Sequence, residues 1–361
     1  MKKKNILFVF TITVGFNGIN IATLELLKRM DKEKYCFYVL SSVESVKEVE
    51  DMFVNDGCIF LKEEYRNSHP FKYLRNLRKI IREKHIDIVH AMGNSATLAV
   101  EMYAAKKEKV CLRIAHSRNT YCEHTFIDKL LRPFLYRFCN CRLACGTEAG
   151  KWLFKKRDFV VLKNGKAFEK YAFSSRSRLF YRKQFGCSDK TCLIGHVGLF
   201  NEQKNHVFII ELAKVLSSLS FDNKIVLVGD GPKKNDIQEM VRSYGLEDKI
   251  VFVNQSFCVN DMLSAFDVMI LPSLYEGLPN VVIEWQINGL PCIVSERVTR
   301  ECAINENIVF LPISSANLWA DSLVNGKPHR LQSEDIIKKN LRENGFDLDL
   351  NAKKLDEIYA K

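Results

Sequence analysis

Two glutamates near the start of a predicted helix are the residues of this chain best placed to do chemistry. Glu276 and Glu284 have seven residues between them, among them Gly277 and Pro279. That spacing predicts a loop leading into a helix that begins near Pro279. A helix amino terminus offers free N–H groups and positive potential, so it can hold a phosphate. Carboxylates on either side could hold hydroxyls, and a nucleotide sugar has hydroxyls on both sides of its diphosphate.

Three other segments that follow predicted strands carry candidate binding residues. Gly198 would let the backbone approach a ligand, and Lys204 would reach a diphosphate. Gly18 opens the first helix, where N–H groups could point toward a ligand. His116, a candidate catalytic residue together with Glu276 and Lys204, lies at a strand end near the candidate binding residue Arg118. His116 is equally explained as a hydrogen-bonded structural histidine.

The segment after a further predicted strand carries Gly229 and Gly231, but Lys234 stands where a dinucleotide fingerprint has its third glycine. A tight turn that packs beside the site is therefore favoured over a dinucleotide site.

Short apolar runs alternate with helical patterns along the whole chain, which predicts parallel sheets with helices on both faces. The predicted strands are 5–11, 35–41, 57–61, 86–90, 110–115, 141–145, 158–162, 191–198, 224–229, 249–253, 267–271, 291–295 and 307–311. The fold class is α/β, with two doubly wound Rossmann-like domains that face each other across a cleft.

Three segments make up the predicted domain organisation. Residues 1–165 form the first domain, and residues 166–345 form the second. Residues 346–361 form a final helix that has no strand after it and is expected to pack back on the first domain.

The positive charge of the chain is confined to its first half. Residues 1–165 carry 30 Lys and Arg against 18 Asp and Glu, whereas residues 166–361 carry 24 against 25. This asymmetry favours an anionic partner for the first domain, such as membrane lipid, nucleic acid or an anionic substrate. A basic domain without such a partner is an equally open interpretation.

Two basic amphipathic segments sharpen that question. Arg66–Lys84 combines seven basic residues with an apolar face, and Lys129–Arg142 combines four with three aromatic residues. Such helices suit an anionic membrane surface. The alternative is that their apolar faces pack on the sheet while the charges are solvated.

The cysteines and the amino-terminal segment indicate the cellular compartment of the protein. The twelve cysteines lie mostly within apolar runs, which indicates small core residues in a reducing compartment and no metal site. Lys2–Lys4 followed by Ile6–Phe10 is similar to the start of a signal peptide, but a first buried strand is favoured. No apolar run reaches the roughly 18 residues of a membrane span.

With these motifs in view, nearly the whole chain resembles a family 4 glycosyltransferase of the GT-B type, close to those of capsule and exopolysaccharide synthesis. The resemblance rests on four motifs: YEGLPNVVIE (275–284), GHVG (195–198) through KNH (204–206), VGDGP (228–232) and HSRN (116–119). It implies retaining transfer of a sugar, hexosyl or N-acetylhexosaminyl, from a nucleotide sugar that is usually UDP-linked.

The resemblance also implies residue roles. Glu276 would hold sugar hydroxyls, Glu284 the ribose hydroxyls, and Lys204 would neutralise the departing diphosphate. The family's cleft histidine corresponds to His116 or Arg118. Backbone amides that would contact sugar and phosphate belong to Gly277, Leu278, Pro279 (which itself lacks an N–H), Asn280 and Val281.

One departure from the family concerns charge. Leu199 stands where the family commonly has an arginine, so one diphosphate contact would be missing unless Arg118, Arg113 or another base compensates. Such a loss would raise the barrier by about 2–4 kcal/mol.

The sequence therefore predicts a cytoplasmic, metal-independent and cofactor-free retaining glycosyltransferase, peripheral on the inner face of the plasma membrane. Its partners would be a nucleotide sugar and a glycan acceptor, preferably lipid-linked, with no nucleic acid. Two alternatives stay open: a sugar-nucleotide epimerase of the same fold, and a catalytically silent nucleotide-sugar-binding partner of a polysaccharide synthase. A NAD-dependent dehydrogenase is disfavoured, because neither glycine loop carries the fingerprint.

Overall fold

The computed structural model describes residues 3–120, 122, 124–254, 259–326 and 328–361. The chain divides into a first unit, Met1–Lys166 with Gly345–Lys361, and a second unit, Ala167–Asn344.

The first unit is built on a parallel sheet. Its strands are Lys4–Phe10 (β1), Tyr35–Ser41 (β2), Ile59–Lys62 (β3), Ile88–Gly93 (β4), Leu112–Ser117 (β5), Cys141–Ala144 (β6) and Val160–Val161 (β7). Their order is β3-β2-β1-β4-β5-β6-β7, so the direction of winding reverses between β1 and β4. Ile6–Phe10 is wholly buried, as expected for a strand covered on both faces.

The second unit repeats this plan. Its strands are Cys192–Val197 (β8), Asn223–Val228 (β9), Ile250–Val253 (β10), Val268–Leu271 (β11), Cys292–Ser295 (β12) and Ile308–Leu311 (β13). The order is β10-β9-β8-β11-β12-β13, again parallel, with the reversal between β8 and β11. Both sheets confirm the predicted α/β class.

Helices connect the strands. They are Gly18–Arg29 (α1), Lys47–Asn55 (α2), Pro70–Glu83 (α3), Ala99–Lys107 (α4), Thr125–Phe138 (α5), Thr147–Phe154 (α6), Phe168–Tyr171 (α7), Ser175–Gln184 (α8), His206–Ser217 (α9), Lys234–Ser243 (α10), Val259–Met262 (α11), Asn280–Ile287 (α12), Ala316–Val324 (α13), Glu334–Glu343 (α14) and Leu348–Ala360 (α15).

The final helix, α15, belongs to the first unit. Asp347 caps it by accepting a hydrogen bond from the Leu350 amide. Leu355, Ile358 and Tyr359 enter the core cluster that contains β1 and α1. The chain thus returns to its first unit after completing the second.

The sequence pattern does not predict α7 and α8. Helix α8 is strongly polar, and its one buried residue is Arg182, whose guanidinium contacts the Asp267 carboxylate at 2.8 Å. A helix anchored by an ion pair lacks the apolar stripe that periodicity detects.

Candidate functional site

The loop between β11 and α12 leaves the carboxyl edge of the second sheet beside the β8–β11 reversal. Ligands of doubly wound sheets bind at such reversals. Pro279 occupies the N-cap position of α12 and makes no side-chain cap, and the first turn contains no acidic residue. Pro279 therefore supplies no side-chain cap to the positive end of α12, which suits this end to an anion.

Glu276 and Lys204 meet at this edge. The Lys204 Nζ lies 2.6 Å from the Glu276 Oε1, and the side chains are only 14% and 10% exposed. The Ser273 hydroxyl also donates to Oε1, at 3.0 Å. Among the described residues nothing donates to the other carboxylate oxygen, Oε2, so it can accept a ligand hydroxyl.

The remaining predicted donor residues surround this pair. Glu284 lies in the second turn of α12 and is partly buried, next to the fully buried Trp285. The residues predicted to present backbone to the ligand form the end of the loop and the first turn of α12. Pro279 is buried, and those partly buried are Gly277, Leu278, Asn280 and Val281.

The loop after β8 is held by the Gly229–Gly231 turn. A Cβ at Gly229 would lie 2.0 Å from the Gly198 carbonyl oxygen, and one at Gly231 would lie 2.6 Å from the Phe200 carbonyl oxygen. The Phe200 amide donates to the Asp230 carbonyl at 2.8 Å. The turn thus packs directly on the loop, as the favoured sequence interpretation predicts.

Two buried histidines lie beneath the same loop. The His206 ring stacks on Phe200 with centroids 4.0 Å apart and meets His196 edge-on at 4.8 Å. Burial, and then the nearby Lys204 charge, lowers the pKa of His206 to about 4. Burial also holds the pKa of His196 well below its usual range. Both rings are therefore neutral supports of the loop that carries Lys204.

Leu199 is 52% exposed at the tip of this loop. Arg113 does not compensate for it, because its guanidinium donates to the backbone carbonyls of Phe138 and Val110, both at 2.7 Å. Arg113 also lies near the amino-terminal end of β5, away from the carboxyl edge.

In the first unit, His116 and Arg118 belong to one hydrogen-bonded chain at the carboxyl ends of β4 and β5. Arg118 Nη1 lies 3.2 Å from His116 Nε2, and His116 Nδ1 lies 2.9 Å from His90 Nε2. His90 Nδ1 lies 2.8 Å from the Tyr359 hydroxyl of α15. Arg118 Nη2 also donates to Asn164 Oδ1 at 2.7 Å.

The chemistry of arginine fixes the direction of this chain. A guanidinium only donates, so His116 Nε2 accepts and His116 Nδ1 donates to His90. His90 Nδ1 then donates to the Tyr359 oxygen. Burial, followed by the Arg118 charge, lowers the pKa of His90 to about 3 and that of His116 well below its usual range. His116 is therefore neutral with both ring nitrogens bonded, so direct proton transfer to a substrate would require one bond to break.

Gly18 is exposed at the first position of α1. The Asn17 side chain caps this helix by accepting hydrogen bonds from the Ile19 and Asn20 amides, both at 3.1 Å. Those two N–H groups are therefore already used.

A cavity of about 610 Å³ opens at the carboxyl ends of β1 and β4, where the first sheet reverses. Thr11 and Asn94 line it from the strand ends, and Ile127 and Leu131 line it from α5. Arg66, at its edge, is ion-paired with the wholly buried Glu101 at 2.8 Å. Sequence reasoning does not find this cavity, because its lining comes from distant segments.

Comparisons with known proteins agree with this architecture. The profile of the family described as glycosyl transferases group 1 matches residues 177–321. EpsF of Bacillus subtilis (strain 168), a proposed glycosyltransferase, is 30% identical over 368 residues, covering 97% of this chain and 96% of EpsF. The Escherichia coli UDP-Gal:alpha-D-GlcNAc-diphosphoundecaprenol alpha-1,3-galactosyltransferase is 28% identical over 309 residues, 80% of this chain and 79% of that enzyme. Anabaena HepE, crystallised with UDP, matches with a TM-score of 0.82 at 14% identity over 99% of both chains.

Two parallel α/β units with this strand order define a GT-B fold, the class to which the matched solved glycosyltransferases belong. Because the identity to EpsF extends along nearly the whole chain, this chain belongs to the group 1 glycosyl transferases, and it is a glycosyltransferase. The resemblance drawn from its motifs is confirmed.

Proposed function

We propose that this chain is a retaining, metal-independent glycosyltransferase that moves a sugar from a UDP-sugar to a lipid-linked glycan during surface polysaccharide synthesis. The observation that carries the proposal is the Lys204–Glu276 pair beside the start of α12, where Pro279 provides no side-chain cap. It combines a cation, a helix amino terminus and a carboxylate oxygen open to a hydroxyl. Those are the groups that a sugar diphosphate requires.

In this proposal the second unit binds the donor. The sugar hydroxyls are held by Glu276, the ribose hydroxyls by Glu284, and the diphosphate by Lys204 and the backbone at the start of α12. The UDP bound to HepE and the UDP-galactose named for the Escherichia coli relative support the choice of nucleotide.

The reaction breaks the bond between the anomeric carbon and the β-phosphate oxygen. An acceptor hydroxyl attacks the same face of the sugar, and its proton passes to the departing phosphate oxygen, so UDP leaves and configuration is retained. The growing negative charge on UDP is met by Lys204 and the α12 dipole. These groups supply the positive charge that a metal ion supplies in metal-dependent transferases.

We assign the acceptor to the first unit. Its cavity at the β1–β4 reversal is lined largely by apolar groups, and α5 continues that character on the surface. Phe126 is 78% exposed and Leu130 60% exposed. These features, and the diphosphoundecaprenol acceptor named for the Escherichia coli relative, support a lipid-linked acceptor at the cytoplasmic membrane face. Among the described residues, no helix is both long and apolar enough to cross a membrane.

The basic helix α3 supports a membrane-binding surface only in part. Arg78 is paired with Glu108 at 2.7 Å, and Tyr73, Leu77 and Ile81 are buried against the sheet. Most of the apolar face of α3 is therefore used internally. Helix α5 buries Leu135 but leaves Phe126, Leu130 and Phe134 exposed.

Thermal unfolding with UDP tests the donor assignment. A ligand at one hundred times its Kd stabilises the folded state by about 2.7 kcal/mol, so UDP should raise the melting temperature of the wild type. Glu284→Ala should lose most of that rise, because ribose contacts are removed. Exposed Glu296 offers a matched control in the same unit. No rise in the wild type, or an equal rise in Glu284→Ala, contradicts the proposed donor site.

A further inference from the structure

The Arg118 guanidinium carries a positive charge that no carboxylate of the described residues neutralises. Among the described residues no Asp or Glu carboxylate lies within 4 Å of it, and its hydrogen-bond partners are the neutral His116 and Asn164. Two other partly buried cations differ from it, because Arg66 pairs with Glu101 at 2.8 Å and Lys204 pairs with Glu276 at 2.6 Å.

The donors of this guanidinium are only partly used. Nη1 and Nη2 each make one bond, which leaves a second hydrogen on each. The Nε–H is buried and has no acceptor among the described residues. A partly buried cation with unmet donors is unfavourable by itself, and burial lowers the pKa of Arg118. An anion that contacts the two free hydrogens would remove that penalty.

The backbone places this group where ligands bind. Arg118 follows the last residue of β5, and its amide donates to the carbonyl of Gly93, the last residue of β4, at 3.1 Å. Both ends lie on the carboxyl edge of the first sheet. The side chain is partly exposed there, so a phosphate can reach it.

A positioning chain stands behind it. Tyr359, His90 and His116 are 1%, 0% and 1% exposed, and each holds the next through one hydrogen bond. The chain therefore ties the orientation of Arg118 to the last turn of α15. Such a fixed orientation suits a guanidinium that must present its N–H groups to a ligand in one direction.

We propose that Arg118 binds a phosphate group of a substrate, and that Tyr359, His90 and His116 act as positioning residues that aim its guanidinium. The inference rests on the proposed function. The phosphate belongs either to the nucleotide diphosphate of the donor or to the lipid diphosphate of the acceptor. In either case the Arg118 guanidinium contributes a positive charge to phosphate binding, which the Leu199 side chain does not.

Calorimetric titration with UDP and with uridine tests the donor source. Arg118→Met loses a pair of charge-assisted hydrogen bonds and should bind UDP roughly 10- to 100-fold more weakly than the wild type. The UDP affinity of Arg118→Lys should lie between those of the wild type and Arg118→Met. Uridine lacks phosphate, so its affinity should not change. If the phosphate is the acceptor's, UDP affinity stays constant and the KM for a polyprenyl-diphosphate-linked sugar rises by a similar factor.

The positioning chain has its own matched pair of variants. Tyr359→Phe removes the hydroxyl that accepts the hydrogen bond from His90. It should raise whichever of the two constants Arg118→Met raises, the Kd for UDP or the KM for the acceptor, by about 3- to 10-fold. Tyr35→Phe removes a hydroxyl bonded to Asp356 at 2.7 Å on the same helix and should leave that constant unchanged. His116→Gln, whose amide oxygen can accept from Arg118, should retain more affinity than His116→Phe.

The outcomes separate this inference from the proposed function. If Arg118→Met changes neither the UDP affinity nor the acceptor KM, the inference is wrong, but the proposed donor site is not contradicted. If the wild type binds no UDP, the proposed function fails. Inorganic pyrophosphate then serves as the probe: weaker binding by Arg118→Met than by the wild type supports the inference, and equal or absent binding overturns it.

Discussion

The Lys204 ammonium lies 2.6 Å from a Glu276 carboxylate oxygen, although the two residues are 72 positions apart in the chain. Each leaves a different strand of the second sheet, and β8 and β11 are neighbours at the point where its winding reverses. The pair keeps a cation and a carboxylate together in a poorly hydrated site. A bound sugar diphosphate could then contact Lys204 through phosphate and Glu276 through a hydroxyl.

Lys204→Gln should lower the rate of sugar transfer by about 100-fold, because charge stabilisation of a leaving group is worth several kcal/mol. The glutamine amide can still donate to Glu276, so the fold should be kept. Steady-state release of UDP measures the effect. Lys233→Gln, at a lysine with a 56% exposed side chain in the same unit, is the control. Equal rates in Lys204→Gln and the wild type would remove Lys204 from the mechanism.

Leu199→Arg should tighten UDP binding by about 10-fold, because a new cation at the loop tip can reach the diphosphate. The 52% exposed leucine leaves room for the longer side chain. Leu199→Gln separates charge from length and should bind UDP like the wild type. Titration calorimetry measures the UDP affinity of both variants. Equal affinities for the arginine and glutamine variants would contradict the proposal that this loop contacts the diphosphate.

Acid should destabilise the second unit because His196 and His206 are buried as neutral rings. The unfolded chain takes up protons near pH 6.5, whereas burial keeps the pKa of His206 at about 4 and that of His196 well below its usual range. Their contribution is therefore fully present above pH 6.5 and is lost as the pH falls. Between pH 7 and pH 5 the free energy of unfolding should fall by about 4 kcal/mol.

Urea unfolding followed by tryptophan fluorescence measures this loss, since Trp285 and Trp319 are buried in the same unit. His206→Phe should halve the pH dependence, and His329→Gln, at an exposed histidine, should preserve it. A pH-independent urea midpoint in the wild type would contradict the lowered pKa values, because the two rings would then take up protons equally in the folded and unfolded chains.

Replacing Phe126 and Leu130 together by serine should reduce binding to vesicles that contain phosphatidylglycerol. The two side chains are 78% and 60% exposed on α5, within the basic unit. Flotation at low and high salt measures binding, which should weaken as salt screens the charges. Leu179→Ser, at a 70% exposed leucine of α8, is the matched control. A wild type that ignores these vesicles contradicts membrane attachment.

Local patterns explain how much of this molecule the sequence predicts. Strands of parallel sheets are continuous apolar runs, so β1 and β11 are recognisable from composition alone, and the loop after β11 follows from its glycine and prolines. Glu276 and Lys204 can be singled out because each follows such a run.

Pairings between distant segments have no such pattern. His90 and Tyr359 are 269 positions apart, and nothing local in either segment indicates that α15 completes a hydrogen-bonded chain to Arg118. The polar helix α8 is missed for the same reason, because Asp267 holds its Arg182 from another part of the chain. Long-range polar contacts decide both cases.

Transfer of a labelled sugar is the most direct test of the central claim. The wild type is given UDP-glucose, UDP-galactose or UDP-N-acetylglucosamine together with lipid-linked glycan acceptors extracted from membranes. We predict a labelled lipid-linked product of retained anomeric configuration, at least about 100-fold less of it with Glu276→Ala, and no change with Glu296→Ala. An epimerised UDP-sugar formed without acceptor, or no transfer from any donor, would contradict the account.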